Sequence, residues 1–490
     1  MEIGPVTTSA PPNDAPVILW FRRDLRLSDN PALSRAMSSG RPVVPVYIHD
    51  EGSQVRRSGA ASLWWLDRSL RALAADLTDR GAPLILRRGN AEAKLRGLIA
   101  ETGATTVVMN RLFEPDARER DAALAHDLKV EGIDCQGFNG TLLATPGTVL
   151  NGSGRPYRVF TPFLKALLAT TTEPTLSPAP NRIVCPQGLA SERLADWVLS
   201  PTQPDWSTGF EGVPGEAGAV AAFTAFLDEG LADYCDGRDI PARSATSRLS
   251  AHLHFGEISP WRVVIGARRA AHVGTVSADE VSKFVAELGW RDFSAHLLHA
   301  FPYMAERAFR PEFGTLPWRS DPGGLKAWQT GQTGFPIVDA GMRQLWTTGW
   351  MHNRVRMIVA SFLVKDLLID WREGEAWFRD TLVDADLASN VQNWQWVAGC
   401  GADAAPYFRI FNPVTQGQKF DADGRYVRRW VPELQAVPDR WLQAPWTAPD
   451  EVLLQAGIEL GRDYPFPVVD HAAARLRALD ALKTVSRPGS

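Results

Sequence analysis

Trp371-Arg372-Glu373-Gly374, then Asp384-Ala385-Asp386-Leu387-Ala388-Ser389-Asn390, then Trp394-Gln395-Trp396, closing on Phe411-Asn412-Pro413 and Gln416-Gly417-Gln418-Lys419, is the stretch on which the reading of this chain turns. It sets Asp384, Asp386 and Asn390 among Trp371, Trp394 and Trp396. An ordinary core does not favour that mixture. A buried indole needs a partner for its N–H, and carboxylates are rarely buried without compensation. The plain alternative is a Trp-rich helical core beside a solvated acidic loop. The sharper reading is a redox site, with carboxylates bordering a large planar cofactor and indoles close enough to pass electrons.

Outward from that stretch, helical periodicity dominates everything beyond residue 215, with helices expected at 217–229, 260–272, 279–300, 324–330, 337–349, 353–371, 374–382 and 471–482. Most of the 18 tryptophans lie beyond residue 260, so whatever needs indoles belongs to this part. Between 141 and 215 the pattern dissolves into Gly, Pro, Ser and Thr, the composition of a long connector, broken by one short helix at 160–169. Residues 17–138 alternate apolar β-rich runs (17–21, 43–48, 83–87, 105–110, 134–138) with amphipathic segments at 60–80, 91–102 and 116–131. That alternation indicates a doubly wound parallel α/β sheet. The expected organisation is thus an α/β N-terminal domain at 17–140, a connector at 141–215 and an all-α domain at 216–490. No GxGxxG follows the first strand, where the loop is Arg22-Arg23-Asp24-Leu25-Arg26-Leu27-Ser28-Asp29, which argues against a dinucleotide on a glycine turn there.

At 490 residues, 45% hydrophobic and 22% charged, the composition is that of a soluble globular protein of two or three domains. No apolar run approaches the roughly 18 residues that cross a membrane. The first 16 residues read as a short disordered lead without the features of a signal peptide. Cys135, Cys185, Cys235 and Cys400 are scattered, form no CxxC pair, and fit reduced thiols in the cytoplasm. A net charge of −4 neither announces nor excludes a nucleic-acid partner, because a local basic groove is what phosphates require.

Upstream segments carry further chemistry. Tyr234 precedes Thr246-Ser247-Arg248-Leu249-Ser250, a hydroxyl-rich run before a helix that is either a plain cap or a pyrophosphate cradle. His252 and His254 share the two-residue spacing of metal sites, but no Cys or acid completes a set, so they read as structural and no metal is expected. Glu287, Trp290 and Arg291 share one helical face, as an exposed ion pair beside a core Trp or as a seat for a flat polar substrate. In Trp350-Met351-His352-Asn353-Arg354-Val355-Arg356-Met357, Arg354 and Arg356 diverge on a helix, one toward solvent and one inward, where Asp384 is the natural partner of Arg356.

Taken together these motifs resemble the photolyase/cryptochrome family over about 17–475. The matching segments are Leu19-Trp20-Phe21-Arg22-Arg23-Asp24-Leu25-Arg26, Thr246–Ser250, Gly349-Trp350-Met351-His352-Asn353-Arg354, Asp384–Asn390 and Phe408-Arg409-Ile410-Phe411-Asn412-Pro413. The resemblance implies FAD folded within the helical domain and light-driven DNA repair. It places Tyr234, Thr246, Ser247, Arg248, Leu249 and Ser250 at the phosphates and ribityl chain. Asp384, paired to Arg356, and Asp386 would border the cofactor, and Asn390 would face the flavin N5. Glu287, Trp290, Asn353, Met357 and Trp396 would line the pocket for a flipped-out pyrimidine dimer, with Asn353 also on the cofactor side. Arg291, Arg354 and Gln416 would contact DNA. An electron relay would run from Trp394 through Trp371 to Trp318, preferred to Trp328 on the match of Leu316-Pro317-Trp318.

Within the family, Asn390 stands where plant-type cryptochromes carry Asp and animal-type ones Cys, and Asn353-Arg354 departs from the His-Leu of six-four photolyases. Both features resemble cyclobutane pyrimidine dimer enzymes rather than a blue-light sensor working through a protein partner. Trp64-Trp65-Leu66 and Arg111-Leu112-Phe113-Glu114-Pro115 resemble the bacterial class III group. Asp116-Ala117 stands where the enterobacterial type has its folate-binding Asn-Glu pair. The expected antenna is methenyltetrahydrofolate held in another way, with 8-hydroxy-deazaflavin the alternative. UV-damaged DNA is the expected partner, and the protein is expected to act as a cytoplasmic monomer.

Overall fold

Val17–Phe21 is buried at every position, an apolar run without polar alternation, which is how a central parallel strand reads when both its faces are covered. The computed structural model describes residues 14–52, 56–404 and 408–485, so the lead expected at 1–16 lies almost wholly outside the described residues. Strands β1 (Val17–Phe21), β2 (Val43–Asp50), β3 (Ile85–Gly89), β4 (Thr106–Asn110) and β5 (Asp134–Phe138) form one parallel sheet in the order β3-β2-β1-β4-β5. Four helices complete this layer: α1 (Pro31–Ser38), α2 (Ala60–Thr78), α3 (Ala91–Thr102) and α4 (Pro115–Val130). Alternate residues of β1 serve opposite cores. Leu19 and Phe21 pack with α1 and α2, whereas Ile18 and Trp20 pack with α3 and α4. Helix α1 was not expected from periodicity. Its signal was Asn30-Pro31: the Asn30 side chain caps the Leu33 N–H at 3.1 Å, and the proline occupies the first turn.

Strand order reverses between β1 and β4, where open α/β sheets usually hold ligands. Here that crevice carries charges of the chain itself. Arg22 pairs with Asp121 and donates to the Asn110 carbonyl. Arg120 bridges Asp50 and Asp121 at 2.5 and 2.7 Å, and both guanidiniums lie over the Trp20 ring, at 4.8 and 5.4 Å.

Beyond residue 140 the described elements are helical. The ones that build the site are α5 (Phe160–Thr170), α6 (Ala278–Ala300), α7 (Asn353–Ser361), α8 (Trp371–Thr381) and α9 (Leu387–Ala398). The single helix expected over 353–371 is interrupted. After Ser361 the backbone widens into a π-helical turn over Phe362–Asp366, Leu368 adopts φ +56°, and a new helix begins at Trp371, capped by Asp370. Lys365, buried within that turn, donates to the Ala398 carbonyl at 2.8 Å, so the break places an amine donor at the C-terminus of α9, where burial drives its pKa well below the ordinary lysine value. No helix among the described residues is long and apolar enough to cross a membrane.

Candidate active site

Asp386 is the N-cap of α9 and accepts the Ser389 backbone N–H at 2.8 Å. Its other oxygen lies 3.9 Å from His254 Nδ1. Burial opposes ionisation of this carboxyl, but His254, Arg291 and the Ser389 N–H hold it well below the usual carboxylate range. Two residues earlier, Asp384 forms a two-pronged pair with Arg356 of α7 at 3.1 and 2.8 Å, and Arg356 Nε donates to the Met351 carbonyl at 2.8 Å. Burial alone would raise the Asp384 carboxyl; Arg356 and a hydrogen bond from Ser250 bring it below its ordinary value. One wall of the site thus carries two ionised carboxylates.

Asn390, on the first turn of α9, donates from Nδ2 to the Glu375 side chain at 2.9 Å and to its backbone carbonyl at 3.1 Å. Glu375 is buried and pairs with Arg56 at 2.6 Å. Helix α8 approaches this closely because residue 374 is glycine: a Cβ there would lie 2.1 Å from the Trp394 ring.

Asp384, Asp386, Asn390, Arg356 and Trp394 line a cavity of about 440 Å³, a cofactor-sized volume. Around it the fold gathers Tyr234, Ser247, Leu249 and Ser250; Glu287, Trp290 and Arg291 of α6; Asn353, Arg356 and Met357 of α7; Asp384, Asp386 and Asn390; and Trp394 and Trp396. Trp394 Nε1 is buried without a hydrogen-bond partner among the described residues. An indole with a free N–H, two carboxylates, a fixed amide and the hydroxyls of Ser247 and Ser250 fit a planar, polar-edged ring carried on a phosphate-bearing chain.

Other expected site residues stand outside the lining. Thr246 and Arg248 belong to the loop before Ser250. Arg248, at φ +55°, lays its guanidinium 3.7 Å over Trp350 and pairs with Glu211 at 2.5 Å, away from the cavity. Arg354 pairs with Asp239 at 2.7 Å and lies 4.4 Å over Phe420. Gln416 is half-buried on the helix Pro413–Phe420. Trp371 is buried at the start of α8, and Trp318 is half-buried at the edge of the helical core. The indole that meets Trp394 edge-on is Trp328, at 6.2 Å between centroids and fully buried.

One expectation needs correction. Arg291, assigned to the DNA side, donates to the carbonyls of Thr141 and Leu253, and its charge acts on Asp386. It anchors the start of the connector to the helices instead of offering a free cation. Four contributors were not legible in the sequence. Arg238 pairs with Glu287. Glu375 fixes Asn390. Phe160 lies flat on Trp290 at 3.6 Å and 8°. Asp403 accepts the Trp396 indole N–H at 3.0 Å. Each lies at least seven residues from its partner, and local periodicity carries no signal for such pairs.

A parallel α/β layer joined to a helical body with a carboxylate- and indole-lined cavity defines the class, a two-part protein built around a cofactor site. Residues 17–181 match the DNA photolyase family, and residues 284–484 match the FAD binding domain of DNA photolyase. The chain is 50% identical to a deoxyribodipyrimidine photo-lyase of Agrobacterium fabrum, over 96% of this chain and 98% of the relative. It is 39% identical to cryptochrome-1 of Arabidopsis thaliana, over 94% of this chain and 69% of the relative. The crystal structure of a bacterial class III photolyase from Agrobacterium tumefaciens superposes with a TM-score of 0.94 at 50% identity, covering 98% of this chain and all of that one. The chain belongs to the DNA photolyase family.

Proposed function

We propose that this protein is a deoxyribodipyrimidine photo-lyase of the class III type, splitting cyclobutane pyrimidine dimers in DNA under blue light with FAD bound in the helical cavity. The observation that carries this reading is that one cavity joins the Asp384, Asp386 and Asn390 wall to the two indoles Trp290 and Trp396. A purified, pre-reduced sample given a thymine-dimer oligonucleotide and blue light is expected to restore thymines and to show a flavin spectrum. Flavin without repair would favour a cryptochrome-like sensor acting through a protein partner.

Tyr234 and the 246–250 loop would hold the phosphates and ribityl chain, Asp384 and Asp386 would border the cofactor, and Asn390, held by Glu375, would offer its amide to the flavin. When bound, reduced FAD supplies light-driven donation of one electron to the dimer and its recovery after the ring splits. The protein's own work is binding and orientation. A dimer must leave the duplex stack to be reached, and its poor pairing lowers the cost. Trp290 and Trp396 offer it flat apolar faces, Glu287 accepts from an imide N–H, and Asn353 and Met357 line the pocket. Arg354 and Gln416 stand on the DNA side, on an otherwise acidic chain whose affinity for DNA weakens as salt rises.

In this reading Trp394, Trp371 and Trp318 would form the relay that supplies electrons to the cofactor. Trp371→Phe is expected to abolish photoreduction of the oxidised protein while pre-reduced protein still repairs. Loss of photoreduction in Trp328→Phe but not in Trp371→Phe would move the relay onto the indole that touches Trp394. The antenna in this reading is methenyltetrahydrofolate, and the ion pairs filling the crevice between β1 and β4 argue against a ring-sized chromophore there. The domain limits are 17–140, 141–215 and 216–490, and the protein works as a cytoplasmic monomer.

A further inference from the structure

Asp403 lies in the turn after α9 at φ +52°, a left-handed conformation that non-glycine residues seldom adopt. Strained residues of this kind persist where the surroundings over-determine them. Two hydrogen bonds leave Asp403 in different directions. Its carbonyl accepts the Trp396 indole N–H at 3.0 Å, and its Oδ2 accepts the backbone N–H of Phe160 at 3.3 Å. Phe160 opens α5, whose own N-cap, Val159, offers no side-chain acceptor, so Asp403 supplies that cap from a segment 243 positions away. The Phe160 ring in turn backs Trp290, stacked at 3.6 Å and 8°. Helix α5 has little freedom to slide on α6, since a Cβ at Gly289 would come within 2.5 Å of Leu164.

We propose that Asp403 is a positioning residue that sets the spacing and tilt of the two indoles, Trp290 and Trp396, and so makes the pocket selective for a stacked pyrimidine dimer. It rests on the lesion-pocket reading above. Trp396 is held directly, whereas Trp290 is held through Phe160 and the start of α5. Asp403 touches no reacting atom. A purely structural cap would stabilise α5 without changing what the pocket prefers, and the two roles separate by measurement.

The test is the ratio of dissociation constants for undamaged and thymine-dimer oligonucleotides, measured in the dark on flavin-loaded protein, together with Tm and the flavin spectrum. Asp403→Gly relieves the backbone but removes the carboxylate; Asp403→Asn keeps both an acceptor and tolerance of the left-handed conformation. The glycine variant is expected to lose roughly tenfold of the lesion preference, about 1.4 kcal/mol, with undamaged-DNA affinity and flavin content unchanged. The asparagine variant is expected to recover most of it. Should Asp403→Gly not fold, Phe160→Leu, which keeps the α5 cap and removes the face behind Trp290, carries the same expectation. An unchanged preference in the glycine variant, or a fall in Tm alone, would reduce Asp403 to a cap and overturn the proposal. Absence of any lesion preference in the parent protein would instead overturn the lesion-pocket reading, and this proposal with it.

Discussion

Asp384→Asn is expected to release the flavin and to destabilise the helical domain by about 3–5 kcal/mol, the usual cost of removing one partner from a buried ion pair. The carboxylate side chain is 2% exposed, and the Arg356 side chain facing it is 24% exposed, so water cannot replace the lost acceptor at full strength. Arg356 would keep the Met351 carbonyl at 2.8 Å and at most one neutral amide oxygen at 384, losing the charge and the second prong. The sign of the pH dependence follows from the lowered Asp384 pKa. Its stabilisation is complete above the ordinary carboxylate pKa of about 4 and is lost as pH falls through the lower folded value. The parent should therefore lose stability in acid more steeply than the asparagine variant, which has nothing left to protonate. Flavin absorbance per protein and urea midpoints between pH 7 and pH 3 measure both effects. A variant that keeps its flavin and its midpoint would show that Arg356 can find another anion.

The contrast between Asp384 and Asp403 shows what a single sequence discloses. Asp384 and Arg356 were legible because the chemistry is local to two short motifs: a carboxylate among indoles and an arginine that must turn inward from a helix. The sheet was legible for a similar reason, since five short strand-like runs, the central ones apolar and buried, set among amphipathic segments admit few other arrangements. Positions whose role depends on a distant segment were not. Asp403 looks like any loop aspartate until Phe160 is brought to it from the connector. Arg291 shares a face with Glu287, yet the carbonyls of Thr141 and Leu253 claim its guanidinium. The break between α7 and α8 was hidden because residues 353–371 keep helical periodicity through the π-helical turn; only the cap at Asp370 hints at a restart.

Glu257 has the same hidden character and carries the other large effect. It is fully buried, and its carboxylate accepts from Trp65 Nε1 at 3.0 Å, Gly215 N at 2.8 Å, the Ser69 hydroxyl and the His252 ring. Trp65 and Ser69 belong to α2 of the sheet layer, whereas His252 and Glu257 belong to the helical body, so one side chain ties the two together. The neighbouring backbone continues the tie: Leu25 N donates to the Phe255 carbonyl at 3.0 Å and Arg26 Nη1 to the Gly256 carbonyl at 2.8 Å. At Gly256, φ +66°, a Cβ would fall 2.1 Å from the Arg23 carbonyl, so only glycine lets the segments meet. Glu257→Ala strands these donors, each costing about 1–3 kcal/mol when left unsatisfied. The expected loss is roughly 3–5 kcal/mol, because some of them will recruit water into the space left behind. Glu257→Gln should keep most of the stability, since its amide oxygen can take the Trp65, Gly215 and Ser69 donors that converge on Oε1, and its NH2 meets only the His252 ring, which accepts in its other tautomer. Urea denaturation followed by tryptophan fluorescence, with limited proteolysis at the connector as a second probe, reads the result. A loss below about 1 kcal/mol, no larger than an ordinary hydrogen bond, would mean that backbone contacts at 255–256 hold the two layers together without the carboxylate.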